Sequence, residues 1–173
     1  MKVIETERLI LRKMSNDDDA FIIDLLNQPS FLRSIGDKGV RTAADAHRYL
    51  QNGPVASYAR FGFGLYLVEL KDSGASIGIP IGICGLIKRD SLPDVDLGFA
   101  FLPAYWSKGY AAEAAKAVLQ YGRSVLGLGR IVAITSLDNQ DSMKLLGRIG
   151  FKEESILKLA EGEPEVRLFA SDP

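Results

Sequence analysis

The chain has 173 residues, 47% hydrophobic and 25% charged, which suits one globular domain with a real core rather than two. Lys and Arg total 21 against 22 Asp and Glu, so a net charge of −1 leaves no basic field to attract nucleic acid. The single Cys (Cys84) and single His (His47) exclude an intrachain disulfide and a Cys/His zinc cluster.

The opening "MKVIETERLILRKM" carries charge throughout and lacks the apolar stretch of a signal peptide. No apolar run elsewhere reaches membrane-spanning length, so the expectation is a cytoplasmic protein with neither a membrane nor a nucleic acid as partner. Arg8–Met14 reads as a first strand. Ser15 followed by Asn16, Asp17, Asp18 and Asp19 reads as a helix start, a cap followed by acids where the helix dipole favours them. That helix runs on to Gln28-Pro29. Thr42 and Asp45 have the spacing of a capping box, opening a helix that holds His47 and Tyr49 and ends near Asn52-Gly53-Pro54.

Gly62–Leu70 reads as a strand, Lys71-Asp72-Ser73-Gly74 as a polar turn and Ile77–Arg89 as a Gly-rich second strand of a hairpin. Asp94–Leu102 alternates: Val95, Leu97, Phe99 and Phe101 point one way, Asp94, Asp96, Gly98 and Ala100 the other. A turn, Trp106-Ser107-Lys108-Gly109, then leads into an Ala-rich helix with Ala111, Ala115, Val118, Gly122 and Val125 on one face. Arg130–Thr135 reads as a buried strand, Asn139–Phe151 as a short helix closed by Gly150, and "FKEESILKL" and "PEVRLFA" as closing strands. About seven strands and four helices around one sheet make a mixed α/β domain spanning 1–173.

A small, positively charged turn in front of a helix leaves backbone N–H groups free for an anion. The order Lys108-Gly109 is the reverse of a Walker loop, and Gly127-Leu128-Gly129 follows a helix and precedes a strand, the wrong context for a dinucleotide fingerprint. A third pattern fits: Asp96-Leu97-Gly98-Phe99, Pro103, then Trp106-Ser107-Lys108-Gly109-Tyr110-Ala111 and Glu113. This resembles the core of the GNAT acetyltransferases, most of all the branch of the RimJ and RimL ribosomal-protein N-terminal acetyltransferases. The Gly-rich Ile77–Leu86, the N-x-x-S-x-x-x-L-x-x-x-G-F series from Asn139 to Phe151, and "ETERLILRKM" agree with it. The resemblance implies a single-domain GNAT-like fold with a mixed, mostly antiparallel sheet. It implies acetyl-CoA as cosubstrate, no metal, and an amine acceptor that is a protein or peptide N-terminus or a small amine. A monomer or homodimer is expected.

By that resemblance, the amides of Ser107, Lys108, Gly109, Tyr110, Ala111 and Ala112 hold the pyrophosphate. The backbone of Phe99, Ala100 and Phe101 meets the pantetheine and polarises the thioester, and Asn139 bonds the pantetheine or nearby backbone. Ser142 lies near the sulfur and could donate to the departing thiolate, its bland alternative being a polar residue in a helix capped by Asn139. Asp96 is the first choice to accept the amine proton through water, against a solvated acid or ion pair. Glu69, a charge within "GLYLVEL", is the second. His47 has a suitable pKa class but a helix-surface position, and a Cys84–His47 nucleophile pair is the least favoured mechanism. The competing readings are a non-catalytic acyl-CoA sensor of the same fold and an acyl-CoA hydrolase, for which no distinct sequence is seen.

Overall fold

The computed structural model describes residues 1–72, 74 and 77–173. Ser73 of the expected polar turn lies outside the described residues. Among them are eight strands: β1 (Lys2–Glu5), β2 (Leu9–Arg12), β3 (Leu65–Leu70), β4 (Ile79–Ile87), β5 (Val95–Phe101), β6 (Ile131–Ser136), β7 (Lys152–Lys158) and β8 (Glu165–Ser171). The α-helices are α1 (Asp19–Leu26), α2 (Pro29–Ser34), α3 (Ala43–Leu50), α4 (Ala56–Phe61), α5 (Tyr110–Ser124) and α6 (Gln140–Arg148). The strands form one sheet in the order β1-β2-β3-β4-β5-β6-β8-β7. Every neighbouring pair is antiparallel except β5 and β6, which are parallel. The mixed, mostly antiparallel single-domain α/β architecture is as expected, with one more strand and more helices than the sequence suggested.

The expected cap at Ser15 and the expected capping box at Thr42 both form, and the first is also a full capping box. Ser15 and Asp18 exchange bonds at a short 3-10 turn ahead of α1, and Thr42 and Asp45 do so at α3. Other boundaries moved. "KVIE" pairs with β2 as an extra edge strand, and Pro29 starts α2, because proline's missing N–H costs nothing in a first helical turn. The helix expected to stop at Asn52-Gly53-Pro54 continues through a π-helical turn, Gln51–Val55, into α4. The wider turn takes up a proline that an α-helical ladder would reject. On α5 the buried face is Ala114, Ala115, Val118, Leu119 and Gly122, whereas Val125 follows the helix end and is 65% exposed.

The alternation of β5 divides the core as read from sequence. Leu97 and Phe101 join the cluster that includes Ala114, Ala115 and Val118 of α5. Ala100 meets the cluster of Leu67 and Ile83 with α1 and α3 residues such as Ile22, Leu25 and Leu50. The sheet is therefore sandwiched, with α5 on one face and the N-terminal helices on the other.

Candidate active site

The parallel junction is short. β5 and β6 pair only at Val95 opposite Ile131 and Asp96 opposite Val132, and beyond these they diverge into a wedge. The start of α5 follows the end of β5 and the start of α6 follows the end of β6, so both helix N-termini flank the open end.

The antiparallel ladder fixes which backbone groups of β5 face this wedge. Leu102 N–H donates to Ile81 C=O at 2.9 Å, while Phe101 stands opposite Gly82. In an antiparallel ladder such groups alternate, so Ala100 and Gly98 bond to β4 while the backbone groups of Phe99 and Phe101 face away from it. The Trp106 indole N–H donates to the Phe101 carbonyl at 2.9 Å and closes the strand end. Phe99 N–H, Phe99 C=O and Phe101 N–H remain directed into the wedge. Ala100, named with its neighbours from sequence, has its polar backbone groups turned to β4 and offers only a small side chain.

The turn ahead of α5 is held in an unusual conformation. Ser107 has φ +61° and is the one non-glycine residue with positive φ among the described residues; Gly109 has φ +83°. Left-handed conformation costs an ordinary residue about 1–2 kcal/mol, which makes Ser107 a site of stored strain. Gly109 is the N-cap of α5 and provides no side-chain hydrogen bond, unlike the caps Ser15, Thr42 and Asn139. The amides of Tyr110, Ala111 and Ala112 thus start a 15-residue helix uncapped, beside an exposed Lys108. A turn with left-handed residues and free amides forms a concavity suited to phosphate oxygens.

An arginine that sequence reasoning did not single out underlies this turn. Arg8, in the bend between β1 and β2, donates from Nη1 to the Lys108 carbonyl at 2.9 Å and from Nε to Glu113 Oε1 at 2.7 Å. Glu113 Oε2 also accepts from Thr6 Oγ1 at 2.5 Å and from Arg8 N–H at 3.0 Å. Burial opposes ionisation of this carboxyl, but the bonds from Thr6 and Arg8 prevail and its pKa is lowered.

Across the wedge, the Asn139 side chain accepts from Ser142 N–H at 3.2 Å, capping α6. Ser142 is half-buried, and its hydroxyl has no hydrogen-bond partner among the described residues. Asp96 lies at the closed end of the wedge, opposite Val132, and Ser142 ten residues beyond that strand position; no bond joins the two. Asp96 is 1% exposed, and its Oδ1 accepts from Arg89 Nε at 3.1 Å while Oδ2 is buried without a partner. Burial raises its pKa against the opposing pull of Arg89.

The other candidates are occupied. Glu69 is bound to Arg12, which also grips Asp18 through two bonds. His47 Nε2 meets Asp19 Oδ2 at 3.0 Å, tying α3 to α1. Cys84 is fully buried on β4, and desolvation pushes its thiol pKa up, the wrong direction for a nucleophile.

A cavity of about 300 Å³ lies on the helical face opposite α5, lined among others by Tyr49, Phe61, Leu65 and Ile87 with Arg60 and Lys88. It abuts β5: a Cβ at Gly98 would lie 3.1 Å from Ile87 Cδ1 and 3.6 Å from Leu65 Cδ2. The absent side chain at Gly98 keeps this approach to the strand clear.

Residues 8–152 match the family model described as acetyltransferase (GNAT) domain. The chain is 30% identical over 156 residues to the uncharacterized N-acetyltransferase YoaA of Bacillus subtilis, covering 90% of this chain and 86% of that one. The acetyltransferase from Agrobacterium tumefaciens superposes with a TM-score of 0.82 at 24% identity, covering 100% of this chain and 95% of that one. RimL, a ribosomal α-N-protein acetyltransferase, superposes with a TM-score of 0.81 at 15% identity, covering 100% and 94%; likeness at these identities concerns the fold.

Proposed function

The chain belongs to the GNAT acetyltransferase family, and from that premise we propose that it moves the acetyl group of acetyl-CoA to a primary amine by direct attack in a ternary complex. The observation that carries this reading is the wedge with its strained, uncapped turn: positive φ at Ser107 and Gly109 ahead of α5, next to an unpaired edge of β5.

The residues present fit the donor. The amides from Ser107 to Ala112 cradle the diphosphate, and the Phe99 and Phe101 backbone groups pair with the amide-bearing arm. When bound, acetyl-CoA supplies an activated thioester carbonyl. Phe99 N–H is the donor aimed at where the oxyanion develops, and such a preorganised donor is commonly worth about 3 kcal/mol. Ser142 Oγ donates a proton to the leaving sulfur, with Asn139 fixing the first turn that presents it.

Asp96 accepts the amine proton through water. Its raised pKa and its unpartnered Oδ2 make it a better base than an ordinary Asp, whereas Glu69 is bound to Arg12. The cavity against Gly98 receives the acceptor. The RimJ/RimL-like reading makes that acceptor a protein or peptide N-terminal amine, with a small amine as the other class, acting in the cytoplasm. Its support is the run of motifs from Asp96 to Phe151.

The near-complete burial of Asp96 beside Arg89 favours a second reading, a non-catalytic acyl-CoA sensor of the same fold. Calorimetric titration with acetyl-CoA, followed by free-thiol release over a panel of amines and N-terminal peptides, separates the two. Binding with amine-dependent release supports the transferase, and binding without release from any amine supports the sensor. Absence of binding overturns the cofactor assignment.

A further inference from the structure

We propose that Arg8 is a positioning residue for the coenzyme turn: through Lys108 it sets the direction of the turn's amides, and so the affinity for the diphosphate of the donor. The inference rests on the transferase reading and adds a residue to it.

Arg8 reaches the turn from more than a hundred positions away in sequence. The shared carboxylate of Glu113 anchors it, accepting from Arg8 Nε, Arg8 N–H and Thr6 Oγ1. The guanidinium carbon lies 4.5 Å from the centre of the Tyr110 ring, which fixes its plane. With the group held on both sides, Nη1 is left to grip the Lys108 carbonyl at 2.9 Å.

That bond has a consequence for the next amide. In a trans peptide, C=O and N–H point in opposite directions. Pulling the Lys108 carbonyl toward Arg8 therefore turns Gly109 N–H away from Arg8. Of the two residues that flank this peptide, Gly109 is in the left-handed region at φ +83°, where glycine meets no steric penalty and the 108–109 peptide has more than one accessible orientation; Ser107, just before Lys108, is also left-handed at φ +61°. The carbonyl bond selects one of these orientations. The approach is close enough that a Cβ at Gly109 would lie 3.2 Å from Arg8 Nη2 and press on the guanidinium.

A plain surface ion pair would explain the Arg8–Glu113 bond but not its extension to the turn carbonyl. The test compares two donors, acetyl-CoA and S-acetyl-pantetheine, which lacks the diphosphate. For Arg8→Gln, the calorimetric Kd and the KM for acetyl-CoA should rise roughly tenfold, equivalent to about 1.4 kcal/mol. The kcat at saturating acetyl-CoA should stay within about twofold, and the KM for S-acetyl-pantetheine should not move. Glu113→Gln leaves the Arg8 charge in place but removes its anchor, and should weaken acetyl-CoA in the same direction. Arg8→Lys, which keeps the charge but cannot fork between two acceptors, carries the same comparison if Arg8→Gln does not fold.

Unchanged acetyl-CoA affinity in Arg8→Gln overturns the proposal. So does an equal rise in KM for both donors, which marks general structural damage. Full affinity in Glu113→Gln would overturn positioning in favour of bulk charge attraction. Failure of the unaltered protein to bind acetyl-CoA would instead remove the transferase reading itself.

Discussion

Replacing Gly109 with alanine tests the turn at its most constrained atom. The residue sits at φ +83°, where an L side chain costs about 1–2 kcal/mol. Alanine also narrows the unfolded ensemble, which returns roughly 0.4–1 kcal/mol. The new methyl lies 3.2 Å from Arg8 Nη2, the movable end of a long side chain, so the clash is relieved by displacing the guanidinium rather than the backbone. The net expectation is a loss of about 1 kcal/mol, or roughly 2–4 °C in Tm for a chain of this size.

Gly39 provides the control, at φ +70° with nothing within 4 Å of its Cβ position. Gly39→Ala should lose a similar amount of stability and keep full affinity for acetyl-CoA. Gly109→Ala should weaken that affinity as well, because displacing Arg8 frees the Lys108 carbonyl. Gly109→Glu should abolish binding while the fold survives. Urea unfolding and calorimetry on the same samples read both effects. A Gly109→Ala protein as stable as the parent, or a Gly39→Ala protein with the same loss of affinity, would refute the reasoning.

The remaining expectations concern Asp96, Ser142 and Cys84. Burial raises the Asp96 carboxyl above its ordinary 3.8, so the folded protein retains a proton that the unfolded chain has released. The stability tied to this group is greatest below pH 3.8 and declines as pH rises through the raised value. Asp96→Asn lacks that slope and should gain on the parent as pH climbs through the window; a pH-independent difference in urea unfolding would contradict this. Ser142→Ala should lower kcat by ~10-fold or more with affinity for acetyl-CoA and Tm unchanged, and unaltered turnover would reduce Ser142 to a polar residue of a capped helix. Cys84 should resist thiol reagents in the native protein, and Cys84→Ser should cost about 1–3 kcal/mol yet retain transfer. Inactivation of the native protein by such a reagent would reopen the Cys84–His47 mechanism.

What was legible in the sequence follows the range of the interactions involved. The alternation of Asp94–Leu102, the cap at Ser15 and the capping box at Thr42 are local patterns, and the structure keeps them. The Ser107-Lys108-Gly109 turn was legible because left-handed backbone favours glycine and small polar residues. The continuation of α3 through Pro54 was not, since the proline signal is a break and the π-turn that absorbs it is a packing outcome. Helix α2 is too short to show periodicity, and Val125 follows the residue at which α5 ends. Arg8 and Arg89 were invisible as site residues because their partners, Glu113 with Lys108 and buried Asp96, meet them only across the folded sheet. A lone acid such as Glu113 in a first helical turn reads locally as a dipole effect, so its true neighbour left no trace in spacing.

The divergence of β6 from β5 after Asp96 leaves one strand with two kinds of amide. On the β4 side, the N–H groups of Gly98 and Ala100 lie inside a continuous ladder and should exchange with deuterium only in large opening events. Those of Phe99 and Phe101 look into the wedge and should exchange on a far faster clock, giving a sawtooth of protection along adjacent residues. A ligand that enters as an extra strand would flatten that sawtooth from one side alone, slowing Phe99 and Phe101 and leaving their neighbours where they were. Residue-resolved exchange would thereby report the line the ligand takes through the sheet without any turnover at all.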